Sequence, residues 1–178
     1  MIALIALLSS VEATSKTPPP PAPAEAAVTL PTPYTAEQIR ESFQPGKQLM
    51  FGLKSPEGDK VQHWKVLASD EGTVTIEFRT QGEDAVEKTS TWEELRDHAL
   101  FPEENTVREE GTRETKLGTF DCWIYTRTEG PKVSTFVFAK GLPGPPVVMT
   151  ITVEGNEVFS MEQLKRSPNG NEARLLKR

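Results

Sequence analysis

The side chains able to do chemistry are few and scattered. Cys122 is the single cysteine of this 178-residue chain, and His63 and His98 are its two histidines. A thiol nucleophile needs a base within hydrogen-bond reach. A catalytic reading would therefore have to assemble Cys122, His63, His98, Asp121 and Glu94, and their spacing supports no such set. One cysteine cannot form an internal disulfide. The sequence holds no CxxC pair, no HxxxH pair and no dense Asp/Asn loop, so it offers no zinc or calcium site of a known spacing. Cys122 alternates with Phe120 and Ile124, which places the three on one face of a strand directed to the core. Inert packing is the expected role of that thiol. His63 falls on the strand face opposite Trp64, towards solvent. His98 follows Asp97 near a helix end, where the dipole tolerates partial positive charge. The expectation is a protein that is not an enzyme and carries no cofactor or metal.

Bulk properties agree with a soluble domain of modest core: 36% of residues are hydrophobic, 26% charged, and the net charge is −6. A mildly acidic surface repels phosphate backbones, which argues against nucleic acid as a partner.

The apolar run at residues 2–8, followed by Ser9-Ser10 and the small-residue pattern Val11-Glu12-Ala13, reads as a secretory signal peptide over residues 1–13. The basic residues that usually precede such a run are absent, and the run is too short to span a bilayer. Residues 17–33 carry seven prolines. Proline fixes φ and removes a donor, so residues 14–34 are expected to be a disordered, extended spacer. Pro18–Pro21 also satisfies a PxxP ligand pattern. The β domain is expected over residues 35–167, with a basic tail at 168–178, and the location is periplasmic or secreted.

The elements follow from capping and alternation. Thr35 with Gln38, and Thr91 with Glu94, are capping-box patterns that start two short helices. Ile39 and Phe43 share a face of the first, and Trp92, Leu95 and Ala99 form the stripe of the second. Leu49/Phe51/Leu53, Trp64/Val66/Ala68 and Val74/Ile76/Phe78 alternate as strands. A weaker strand runs from Val86 to Ser90, and the polar segment 103–116 is an exposed strand or a loop. Four strand signals in succession then occupy Thr119 to Leu164. The expected fold is mainly β (α+β): a single curved antiparallel sheet of eight or nine strands, a half-barrel, with two short helices. A closed barrel and a two-sheet sandwich are the competing arrangements.

The stretch Gly118–Tyr125, a hairpin, and then Ala139-Lys140-Gly141-Leu142-Pro143-Gly144-Pro145-Pro146-Val147 resembles a theme in exported bacterial domains of unknown function. Those domains look like the half-barrel class that includes the periplasmic lipoprotein carriers. The resemblance implies a curved sheet and an apolar ligand, and maps no functional residue onto this chain.

Two local features complete the candidates. Asp121, Trp123, Tyr125 and Arg127 lie on the strand face opposite Cys122, where the aromatics form either an exposed binding platform or a surface under the second helix. The loop Gly141–Pro146, with three prolines and two glycines, is either a rigid mouth with Leu142 at its tip or a stiff connection. The candidate ligand-binding residues are therefore Trp64, Trp123, Tyr125, Leu142 and Pro143. The expected function is a non-catalytic binding module for a lipid-like or other hydrophobic small molecule. The alternative is a structural or protein-interaction domain whose partner is an envelope protein.

Overall fold

The computed structural model describes residues 28–167. The leader at 1–13, most of the spacer and the tail at 168–178 lie outside the described residues. Nine strands form one open antiparallel sheet: β1 (Gln48–Lys54), β2 (Lys60–Ser69), β3 (Thr73–Thr80), β4 (Val86–Thr91), β5 (Thr106–Thr115), β6 (Gly118–Glu129), β7 (Lys132–Ala139), β8 (Val148–Val153) and β9 (Asn156–Arg166). Their spatial order is β4-β3-β2-β1-β9-β8-β7-β6-β5. Short hairpin connections make neighbours antiparallel. The tightest, Glu154-Gly155, has φ of 53° and 81°, the left-handed pair that matches strand twist. The first and last strands pair in the middle, Leu53 opposite Met161 and Gly52 opposite Glu162, so the two halves share one continuous ladder. The sheet does not close: β4 and β5 are its two edges.

Two helices, α1 (Ala36–Ser42) and α2 (Trp92–Asp97), lie on one face. Both begin with the capping boxes that the sequence encodes. The Thr35 hydroxyl accepts from the Gln38 amide and the Gln38 side chain returns to the Thr35 amide. Thr91 and Glu94 repeat the arrangement. Each cap is worth about 1 kcal/mol, which matters for helices of under two turns.

The path between β4 and β5 dictates the curvature. Those strands are opposite edges of the sheet, and the link crosses the helix-covered face. Nine strands laid flat would span about 38 Å. Residues 92–105, six of them helical, reach about 35 Å at full stretch. The link closes only over a curved sheet, and it lies on the concave side.

Apolar side chains fill that concave side. Leu49 and Phe51 from β1, Val66 from β2, Val74 and Ile76 from β3, Tyr125 from β6, Phe138 from β7 and Met161 from β9 meet Ile39, Phe43, Trp92, Ala99 and Phe101 from the covering segments. The convex face carries a second, smaller cluster: Cys122, Ile124, Val137, Ala139, Leu142 and Val147.

Three sequence expectations are settled or corrected here. The pairing of residues into faces on β6 holds. Of the two alternatives for Trp123 and Tyr125, the structure takes the surface under the α2 segment, with Phe101 stacking on Tyr125, and not the exposed platform. What changes is that theirs is the principal core face and that of Cys122 the lesser one. Trp123 and Tyr125 point into the main core, and Cys122 belongs to the minor convex cluster. The polar segment 103–116, left open between strand and loop, is a short turn (Glu103–Asn105) followed by the edge strand β5. Finally, residues 28–34, expected as the end of the spacer, are an ordered strap across the concave side. Thr29 bridges Pro102, the Leu30 amide donates to the Phe101 carbonyl at 2.9 Å, and the Glu103 amide donates to the Val28 carbonyl at 3.0 Å. Tyr34 is buried and its hydroxyl donates to the Ala139 carbonyl at 2.5 Å.

Candidate functional site

The helices cover the concave face without filling it. A cavity of about 320 Å³ remains between α1, α2 and the strands. Its floor is Trp64, Ile76, Phe78, Phe136 and Phe138; its roof is Ile39 and Phe43 from α1 with Leu95 and Ala99 from the α2 segment. That volume sits at the lower end of small-molecule pockets, and is about twice that of an apolar cavity able to hold a benzene ring.

Ring packing fixes the floor. Trp64 lies between Phe51 and Phe78, with centroids 4.9 Å away on each side. Its indole N–H donates to Gln62 Oε1 at 2.8 Å, and Gln62 Nε2 donates to the Thr80 hydroxyl. The polar end of the tryptophan is thereby satisfied and its apolar body is left to the cavity. Past α2 the chain inserts Phe101 against Tyr125 (4.7 Å, stacked) and Phe136 (4.9 Å). Trp92, at the start of α2, donates its indole N–H to the Asp70 carbonyl at 3.1 Å, which ties the helix to the β2–β3 turn.

The third wall is the loop between β7 and β8. It wraps the end of the sheet. Leu142 is fully buried in the convex cluster, while Gly144, Pro145 and Pro146 reach the concave side and line the cavity. Arg166 clamps this wall to α1: its guanidinium donates to the Ser42 hydroxyl and to the Pro143 carbonyl, both at 2.7 Å.

Polar groups enter the cavity wall at one place. Lys88 and Ser90 on β4 and His98 at the end of α2 line it together. Lys88 and His98 are exposed and Ser90 is buried, so this is the rim, with an ammonium group at its edge. An apolar interior with cationic and hydroxyl groups at the mouth suits a chain with a polar or anionic end.

Of the five ligand-binding candidates named from the sequence, Trp64 is in the cavity wall. Leu142 is on the other face of the sheet. Pro143 serves the clamp through its carbonyl. Tyr125 is fully buried, with its hydroxyl donating to the Pro31 carbonyl of the strap at 2.6 Å. Trp123 packs edge-on against Tyr34 at 5.6 Å and carries Lys140 over its ring at 5.5 Å. These two aromatics thus hold the strap rather than face the cavity. Sequence reasoning did not single out Lys88, Ser90 or Ala99 as site residues. Lys88 and Ser90 alternate on β4 and so share a face, a signal that marks them only once the β4–α2 contact is known.

The groups considered for catalysis stay apart. His63 is an exposed residue of β2, and His98 stands at the cavity rim. Cys122 is fully buried on the convex face, its thiol donating to the Phe120 carbonyl at 3.3 Å. Burial pushes this thiol above its usual ionisation range, partly opposed by Arg113. Among the described residues, no group of three or more His, Cys, Asp or Glu side chains is placed to hold a metal ion, and no helix is long and apolar enough to cross a membrane.

No family model matches the sequence, and no curated protein matches it either. Solved structures do share the fold. The structure of the Pseudomonas aeruginosa MucA/MucB complex matches with a TM-score of 0.52 at 11% identity, covering 76% of this chain and 58% of the matched chain. A crystal structure of MucB matches with 0.52 at 9% identity, covering 76% and 59%. MucB in complex with MucA(peri) matches with 0.51 at 10% identity, covering 74% and 53%. The chain spans between half and three fifths of the length of these matches. At such identities the likeness is one of fold.

Proposed function

We propose that this chain is an exported, non-catalytic binding module that takes the apolar part of an amphiphile in its concave cavity. The observation that carries this reading is the cavity of about 320 Å³ under α1 and α2, walled by aromatic and aliphatic side chains and opening at Lys88 and His98. Covering segments that plug a curved sheet usually pack to interior density. An apolar space of this size with a cationic rim is the form of a site for an acyl chain bearing a carboxylate or phosphate head.

The test is titration of the delipidated full chain with a fluorescent fatty acid, beside native mass spectrometry of the freshly purified protein. Saturable uptake is expected. Ala99→Leu, which extends a side chain into the cavity, should abolish it. Lys88→Glu should weaken an anionic amphiphile and spare a neutral one of the same chain length. A protein that takes up none of these ligands and purifies without bound lipid would refute the reading.

A second reading is favoured by one finding: MucB, which shares this fold, is solved in complex with MucA(peri). On that reading the module binds an envelope protein. Capture of one partner from a membrane fraction by wild type and Ala99→Leu alike would favour it over the amphiphile.

A further inference from the structure

The edge strand β5 is unusual in its charges. Its outer side pairs with nothing among the described residues, since β6 is its sole neighbour. The strand reads Thr106-Val107-Arg108-Glu109-Glu110-Gly111-Thr112-Arg113-Glu114-Thr115. Arg108 and Glu110 are engaged within the chain: Glu110 meets Lys140 at 2.6 Å and Arg108 at 3.8 Å. Glu109, Arg113 and Glu114 are exposed, and none of them takes part in an ion pair within the described residues.

Charged edges usually block pairing by repulsion between like signs. Here the signs are opposite at equal distances from Gly111. Arg108 stands three residues before it and Glu114 three after; Glu109 stands two before and Arg113 two after. A two-fold axis relating antiparallel strands is perpendicular to the sheet and keeps every side chain on its own face. The axis must then pass midway between the two copies of one residue, and facing residues are placed symmetrically about it. Centring on any charged residue sets it against its own copy. Centring on Thr112 sets Glu110 against Glu114 and Arg108 against Lys116. Centring on Gly111 sets Arg108 against Glu114 and Glu109 against Arg113, twice each, with no like pair directly opposed. The two copies of Gly111 that flank the axis carry no side chain to obstruct the approach.

We infer that β5 is a self-complementary edge by which two copies of this chain join into one continuous sheet, in the register that opposes Gly111 to Gly111. The partner is a second copy, because the pattern is complementary to itself. It brings the unpaired Glu109 and Arg113 together, and sets the unpaired Glu114 against Arg108, whose approach to Glu110 within the chain is a long 3.8 Å. A single strand pair buries less than a standard interface, so the association is weak and concentration-dependent. It is independent of the cavity, which lies under the helices and towards the other edge.

The test is sedimentation velocity of the full chain over a concentration series, with three variants and a mixture. Glu109→Arg alone and Arg113→Glu alone each turn two attractive contacts into two like-charge contacts, and each should weaken self-association about thirtyfold. The double variant Glu109→Arg/Arg113→Glu restores opposite signs and should associate like wild type. An equimolar mixture of the two single variants should also associate, since one copy then presents two arginines to two glutamates. Both substituted positions are exposed, and unchanged circular dichroism confirms folding. Three results would each overturn the inference: a wild type that stays monomeric to about 1 mM, as it would if residues 1–27 or another protein's strand occupied the edge; a dimer indifferent to both single reversals; or single variants whose mixture fails to associate.

Discussion

Replacing Gly144 by alanine should destabilise the domain by about 2–4 kcal/mol. Gly144 has φ of 138°, a conformation that side chains with L geometry rarely adopt. A Cβ built there would lie 2.6 Å from Phe43 Cε2 and 3.0 Å from Cζ, closer than van der Waals contact allows. Phe43 is 2% exposed and closes α1, so its ring can yield only towards the cavity that it roofs. The backbone strain costs about 1–3 kcal/mol and the overlap about as much again. They do not add fully, because a shift of the loop relieves both. Urea unfolding followed by fluorescence of Trp64, Trp92 and Trp123 reads the effect, since all three pack around the concave core. A double-mutant cycle separates the causes. Phe43→Leu removes the opposing ring, so Gly144→Ala should cost at least about 1 kcal/mol less in that background if overlap matters. A loss below about 0.5 kcal/mol for Gly144→Ala in the wild-type background would refute the view that this loop is a tightly fitted wall.

Other perturbations probe the strap and the convex cluster. Tyr125→Phe removes the hydroxyl that donates to Pro31, and should cost about 1–2 kcal/mol while speeding hydrogen exchange at the Leu30 amide; unchanged exchange would show that this bond does not hold the strap. The Cys122 thiol, with no exposed surface, should react with an aromatic disulfide reagent at pH 8 at least about a hundredfold more slowly in the native state than in urea, and comparable rates would contradict its burial. Stability should also fall at alkaline pH. Burial raises Cys122 above its usual 9.0 and Tyr125 above its usual 10.0, the latter partly opposed by Arg108. The fold favours both neutral forms, so their contribution is complete below those usual values and is lost as pH rises through the higher folded values. Unfolding free energies that stay level from pH 8 to 11 would refute this, and Cys122→Ala should remove the earlier part of the decline.

Much of the frame was legible because each element carries a local signal. The caps at Thr35 and Thr91 and the alternation Val74/Ile76/Phe78 act over a few residues, and the structure realises them. What sequence could not supply was which face of β6 is the principal core. Phe120, Cys122 and Ile124 on one side, and Trp123 and Tyr125 on the other, are all apolar, because the strand is covered on both faces. Alternation sorts residues into two sets and leaves the sets unlabelled. The label came from distant parts: Phe101 and Tyr34 reach over Tyr125 and Trp123, while Leu142 folds back over Cys122. The strap was misread for a related reason. Prolines removed its donors and suggested a spacer, yet extended chain of this kind can lie across a sheet. Leu30 and Tyr34, the large apolar side chains among those prolines, anchor it there.

The cavity itself follows from the connection between the edges. The link of residues 92–105 must travel from β4 to β5, across the whole width of the sheet. Its α-helix is only six residues long, followed by a turn and a 3-10 turn at Glu103–Asn105, so few of its side chains project onto the concave face. Just past α2, in the turn closed by the Ala99 and Leu100 amides on the Arg96 and Asp97 carbonyls, the small Ala99 lines the cavity where a longer side chain would have filled the gap. The strap ties down the far end of the link at Phe101 and Glu103, which prevents it from sagging into the space. The site rim then falls where α2 meets β4, the one place where the link leaves an edge strand that carries Lys88 and Ser90. Cavity, rim and curvature are thus consequences of a single topological demand: consecutive strands placed at opposite edges of one open sheet.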